Sequence, residues 1–254
     1  MSVALRSALW GTGFTFLMTS LGAASVFLFR RAVSGSIQRA FLGFAAGVMI
    51  AASVWSLLIP AMEAVSDWGR LRWVPAVGGM IPGMAFLLAM DVAMSRLMRS
   101  TSRRRDALLM LAVTVHNIPE GMAVGLAFAL AASGAPGLNT AAAALALGIG
   151  IQNFPEGMAI SLPLRQAGCP AGRAFALGSL SGIVEPVFGV LVVLVAGAVR
   201  PLMPWLLSFA AGAMLYVVAE NLIPEAVSGA RAHEGTVGVM VGFVVMMLLD
   251  VALG

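Results

Sequence analysis

Eight apolar stretches, at residues 8–29, 40–61, 74–94, 107–132, 141–164, 174–198, 202–224 and 236–253, take up nearly all of a 254-residue chain. Each is long enough to cross a hydrocarbon core, which needs about 20 residues of helix. The expected fold class is therefore an all-α polytopic membrane protein, with 1–254 as one transmembrane domain. Composition agrees, because 10% of residues are charged and 60% hydrophobic, whereas a soluble domain carries about a quarter charged residues. A single cysteine, Cys169, excludes an internal disulfide framework and a thiolate metal cluster. The first stretch ends near Ala23-Ala24-Ser25, as a secretory signal would. Its length and the Arg30-Arg31 pair after it read instead as a retained helix with a basic stop.

All fifteen basic residues are arginine, and eleven follow helices one, three, five and seven: Arg30, Arg31, Arg39, Arg96, Arg99, Arg103, Arg104, Arg105, Arg165, Arg173 and Arg231. Arg6, Arg70, Arg72 and Arg200 fall on the other side. Basic residues in short loops stay cytoplasmic, so both termini are expected outside the cytoplasm. The net charge of +4 then reflects topology and contact with anionic headgroups, and Arg103-Arg104-Arg105 reads as a membrane-surface anchor, with no nucleic-acid partner.

The chain repeats itself. Phe44-Ala45-Ala46-Gly47-Val48-Met49 answers Phe209-Ala210-Ala211-Gly212-Ala213-Met214, Leu58-Ile59-Pro60 answers Leu222-Ile223-Pro224, and Met90-Asp91-Val92-Ala93 answers Leu249-Asp250-Val251-Ala252. The paired segments lie five helices apart, and an odd separation reverses direction through a membrane. The expected architecture is eight transmembrane helices in a 3+2+3 inverted repeat, the plan from which transporters build midplane sites.

Within that plan sit two copies of one motif, His116-Asn117-Ile118-Pro119-Glu120-Gly121 and Gln152-Asn153-Phe154-Pro155-Glu156-Gly157. Ionisable groups at membrane depth cost at least roughly 2.5–3.5 kcal/mol each and mark functional sites by default. His116 and Glu120 are four apart, as are Gln152 and Glu156, so each pair projects from one helix face. Pro119 and Pro155 are expected to kink their helices and to free the carbonyls of Val115 and Ile151. Helix six adds Glu185, followed by Pro186. Clustered carboxylates repel unless a cation or protons lie among them. One nitrogen with several oxygens suits a borderline divalent metal such as Zn(II), Fe(II), Mn(II), Co(II) or Cd(II).

The two motifs, Glu185 and the eight-helix layout resemble the ZIP (Zrt/Irt-like) divalent-metal transporters in a compact bacterial form, along essentially the whole chain. The resemblance implies a first metal position of His116, Glu120, Gln152, Glu156 and Glu185 with Met49 alongside. It implies a second that shares the three glutamates and adds Asn117 and Asn153. It also implies a bacterial inner membrane and no cofactor beyond the transported ion. Asn153 stands where some relatives have Asp, which should weaken the second position. Glu220-Asn221 stands where bacterial relatives often have His-Glu, and the connection around 97–106 lacks the His-rich tract common in the family.

Ser56, Glu63, Asp67, Glu220, Asn221, Glu225 and His233 are candidate pathway residues. Asp91 and Asp250 read equally as structural hydrogen-bonding groups, and Gly178, Gly182 and Gly189 as close helix packing. The expected function is movement of a divalent transition metal, zinc first, toward the cytoplasm, with the bilayer as surroundings and a homodimer left open. A carboxylate-based exchanger of Ca(II) or Mn(II) is the alternative. An intramembrane metal-dependent hydrolase is remoter, since no His-Glu-x-x-His occurs.

Overall fold

The computed structural model describes residues 2–28, 34–97, 102–132, 134, 137–166, 168–198, 200–228 and 233–253, without the side chains of 94, 95, 97, 102–113, 115, 116, 163, 166, 197, 198, 200 and 253. Every regular element among them is helical. Helix α1, Val3–Ala23, starts where Ser2 Oγ accepts from the Leu5 amide at 3.3 Å, which satisfies one orphan donor of the first turn. It begins five residues before the expected stretch and ends in a short 3₁₀ turn, Ala24–Phe27. Helix α2 runs over Gly35–Glu63, α3 over Trp73–Leu97, α4 over Ser102–Ala131 and α5 over Leu138–Gln166. Helix α6 consists of Ala171–Ser181 and Val184–Ala198, α7 covers Met203–Ala226 and α8 covers His233–Leu253.

Five of these are long and apolar enough to span a membrane: Gly35–Glu63, Trp73–Ala93, Ala171–Ala196, Met203–Ala226 and His233–Ala252. Here the structure differs from the eight equal stretches of the sequence. Helices α1 and α5 fall short because threonines, asparagines, Gln152 and Glu156 interrupt their apolar character, and the described side chains of α4 make only a shorter apolar run, Asn117–Ala131. Polar residues that face other helices lower the hydropathy of the helix that carries them.

Irregular backbone falls where proline forces it. Helix α2 widens into a π turn at Ser53–Leu58 and α7 into another at Val218–Leu222, each just before an Ile-Pro step. Pro60 and Pro224 cannot donate to the carbonyl four residues back, and the wider turn absorbs the missing bond. Helix α6 breaks at Gly182-Ile183, which puts Glu185 and Pro186 in the first turn of its second half, where proline is tolerated. Helices α4 and α5, by contrast, run through Pro119 and Pro155 without a change of helix type.

Helices α1, α4, α5 and α6 pack on one another as one group. Beside it, α2 packs along α8 and α3 along α7. The contacts mirror each other. A Cβ on Gly47 of α2 would overlap the Val239 carbonyl of α8, and one on Gly212 of α7 the Met80 carbonyl of α3. Ser56 Oγ donates to Asp250 Oδ1 at 2.7 Å between α2 and α8, while Tyr216 OH donates to Asp91 Oδ2 at 3.0 Å between α7 and α3. Both aspartates of the repeated Asp-Val-Ala segment therefore accept hydrogen bonds across a helix pair. An apolar core of Val48, Met49, Leu126, Leu145, Ile149, Met214 and Met246 lies between the groups.

Candidate metal centre

Helices α4, α5 and α6 bring the motif residues together at their centre, with α1 behind them. On α4, Asn117 is fully buried and its Nδ2 donates to the Ser181 carbonyl at 3.3 Å, one of the carbonyls left free by the break in α6. One turn on, Glu120 is 2% exposed and its Oε1 accepts from Gln152 Nε2 of α5 at 2.7 Å. The next residue of α5, Asn153, donates through Nδ2 to both oxygens of Glu185, at 3.0 and 2.9 Å. The second motif thus sets its two amides against carboxylates of two different helices, Gln152 against Glu120 of α4 and Asn153 against Glu185 of α6. Glu156 is half-buried on α5, and the three glutamates lie close enough for their charges to repel.

Four oxygens at this centre have no hydrogen-bond partner: Asn117 Oδ1, Glu120 Oε2, Gln152 Oε1 and Asn153 Oδ1. An unsatisfied buried acceptor costs about 1–3 kcal/mol, more when charged. Four together call for a partner that the described side chains do not supply, and a cation, protons or bound water would relieve them. Among the described residues no three His, Cys, Asp or Glu side chains form a metal-holding group by themselves, and the His116 side chain is not among those described.

The other expected residues are placed as follows. His116 lies on α4, but its side chain is outside the described residues. Met49 is 1% exposed within the apolar core. Ser56 is buried against Asp250. Glu63 and Asp67 are exposed at the end of α2 and in the turn after it; Glu220 and Glu225 are exposed near the end of α7, with Asn221 partly buried between them. His233 is exposed at the start of α8, and Glu234 beside it pairs with Arg39 at 3.8 Å, a surface ion pair of little energetic weight. Gly178, Gly182 and Gly189 meet α1 closely, at Ala23, Thr19 and Thr12. The arginines at 30, 31, 99 and 231 lie outside the described residues.

Sequence reasoning missed α1. Thr12, Thr15 and Thr19 are all fully buried, and two of them touch the site: Thr19 Oγ1 donates to Glu185 Oε1 at 3.4 Å, and the Thr15 carbonyl accepts from Asn153 Nδ2 at 3.4 Å. The signal was their spacing of three and four, which lines one helix face in an otherwise apolar run.

A multi-pass helical membrane protein with acidic and amide oxygens buried at its centre is a transport protein for cations. Comparison with known proteins gives the family. Residues 99–250 match the family described as ZIP Zinc transporter. The chain is 38% identical to human "Zinc transporter ZIP11", with 97% of each covered, and 39% identical to "Zinc transporter GufA" of Myxococcus xanthus, with 93% of this chain and 94% of the relative covered. It is 36% identical to "Zinc transporter ZIPB" of Bordetella bronchiseptica, over 97% of this chain and 81% of that one. The chain belongs to the ZIP zinc transporter family, a family of transporters and not of enzymes.

Proposed function

We propose that the protein carries a divalent transition metal, zinc first, across a bacterial inner membrane toward the cytoplasm. The first position for the ion is His116, Glu120, Gln152, Glu156 and Glu185 with Met49 alongside, and Asn117 and Asn153 form with the three glutamates a second, weaker one. The observation that carries this reading is the set of four partnerless buried oxygens on Asn117, Glu120, Gln152 and Asn153. Three of these groups are amides, neutral ligands that bind without adding charge, so the ion can leave again. The names of the relatives, zinc transporters over nearly the whole chain, support zinc as cargo. Uptake by purified protein in liposomes across a panel of Zn(II), Cd(II), Fe(II), Mn(II) and Ca(II) tests it. Zinc should lead. Uptake of Ca(II) above Zn(II) would favour the exchanger of harder cations and sink the present reading.

The architecture belongs to the same proposal. The mirrored pairings of α2 with α8 and α7 with α3, and the π turns ahead of Pro60 and Pro224, support eight spans in a 3+2+3 inverted repeat with α4 and α5 at the pseudo-two-fold axis. The arginine asymmetry supports termini outside the cytoplasm. Single cysteines in a Cys169→Ser background give the check. A thiol near Arg70 should react with an impermeant outside reagent and one near Arg103 should not; the opposite pattern inverts the topology, and with it net uptake.

A further inference from the structure

The two fully buried carboxylates of the centre are satisfied unequally. Glu120 accepts one hydrogen bond, on Oε1, and its Oε2 has no partner. Glu185 has both oxygens occupied: Oε1 by Asn153 Nδ2 at 3.0 Å and Thr19 Oγ1 at 3.4 Å, Oε2 by the same amide at 2.9 Å. The clamp is itself anchored, because Asn153 Nδ2 also reaches the Thr15 carbonyl at 3.4 Å. Thr19 Oγ1 has a second acceptor in the same carbonyl at 3.3 Å, so its hydroxyl keeps a partner when Glu185 turns away. A cation that takes Glu185 must first displace these donors, of which the Asn153 amide at 2.9 and 3.0 Å is the close one, while the Thr19 hydroxyl divides one proton between Glu185 and the Thr15 carbonyl. Nothing has to be displaced to reach Glu120 Oε2, Gln152 Oε1 or Asn117 Oδ1.

We propose that Thr19 and Asn153 form a clamp that competes with the cargo for Glu185, holding the site to one ion per chain and keeping its release fast. The inference rests on the transport reading above. Thr19 acts here as a positioning residue, through Glu185, and α1 becomes part of the machinery that sets affinity. The amide nitrogen of Asn153, ringed by three oxygens, stands where a second cation would otherwise sit.

The test uses the full-length protein in lipid nanodiscs for equilibrium zinc titration and in liposomes for uptake. Wild type should bind one zinc. Thr19→Val keeps the branched shape and removes only the hydroxyl, so zinc should bind roughly fivefold tighter and maximal uptake should fall in step. Thr19→Ser should restore both values. A purely structural role for Thr19 would weaken binding or lower both parameters, never tighten the site. Asn153→Asp, which replaces the donor by a carboxylate, should admit a second zinc, and it decides the matter if Thr19→Val is not monodisperse. Two zinc ions in the wild type, unchanged or weaker binding by Thr19→Val, or one zinc in Asn153→Asp would overturn the clamp. Wild-type protein that binds no zinc would overturn the transport reading itself.

Discussion

Replacing Glu120 by Gln should reduce zinc uptake by more than about 100-fold, because residues that merely orient metal ligands already cost 10–100-fold when changed. Glu120 is 2% exposed, faces Gln152 across the centre and carries a buried carboxylate oxygen, Oε2, without a hydrogen-bond partner. Glutamine preserves its volume and can still face Gln152, so the protein should insert and remain monodisperse while the charge is gone. Glu120→Ala should be as inactive but less stable by about 1–3 kcal/mol, since Gln152 Nε2 would then be buried without an acceptor. Uptake near the wild-type level in Glu120→Gln, at equal protein in the membrane, would remove Glu120 from the ligand set.

The second large effect is on stability. Gly47→Ala and Gly212→Ala each force a methyl onto a backbone carbonyl, that of Val239 in one case and Met80 in the other, and a carbonyl inside a helix cannot swing aside as a side chain can. Overpacking costs about 1–3 kcal/mol, more than the ~1 kcal/mol that alanine returns as a helix former. Gly13 is the control, with nothing within 4 Å of its added methyl, and Gly13→Ala should be neutral or stabilising. Thermal unfolding in detergent should show both packing variants melting well below wild type and by similar amounts, as mirrored positions require. Two variants that melt at the wild-type temperature would mean the helix pairs are looser than described.

Period and spacing carried a good deal of this. The apolar stretches gave helices whose limits moved by a few residues among the described residues, and five of these are long and apolar enough to span a membrane. The pairing of Gln152 with Glu120 was foreshadowed by the two copies of the motif, which set equivalent faces of α4 and α5. The break in α6 was not read from the sequence, although Pro186 cannot donate to the carbonyl of Gly182 four residues back, where the helix is interrupted. Helices α4 and α5 kept one helix type through Pro119 and Pro155, although neither proline can donate to the carbonyl four residues back.

Residue types and spacing by themselves determined that this chain is a helical membrane protein with a repeated polar motif, because burial in lipid penalises every polar group that lacks a purpose. Only the tertiary structure decided how those groups divide their hydrogen bonds: Gln152 to Glu120, Asn153 to Glu185, and a face of threonines on α1, distant in sequence, against the same carboxylate. An amide can serve as donor or as acceptor. Which role each one takes depends on the helix across from it, and no spacing along the chain records that neighbour.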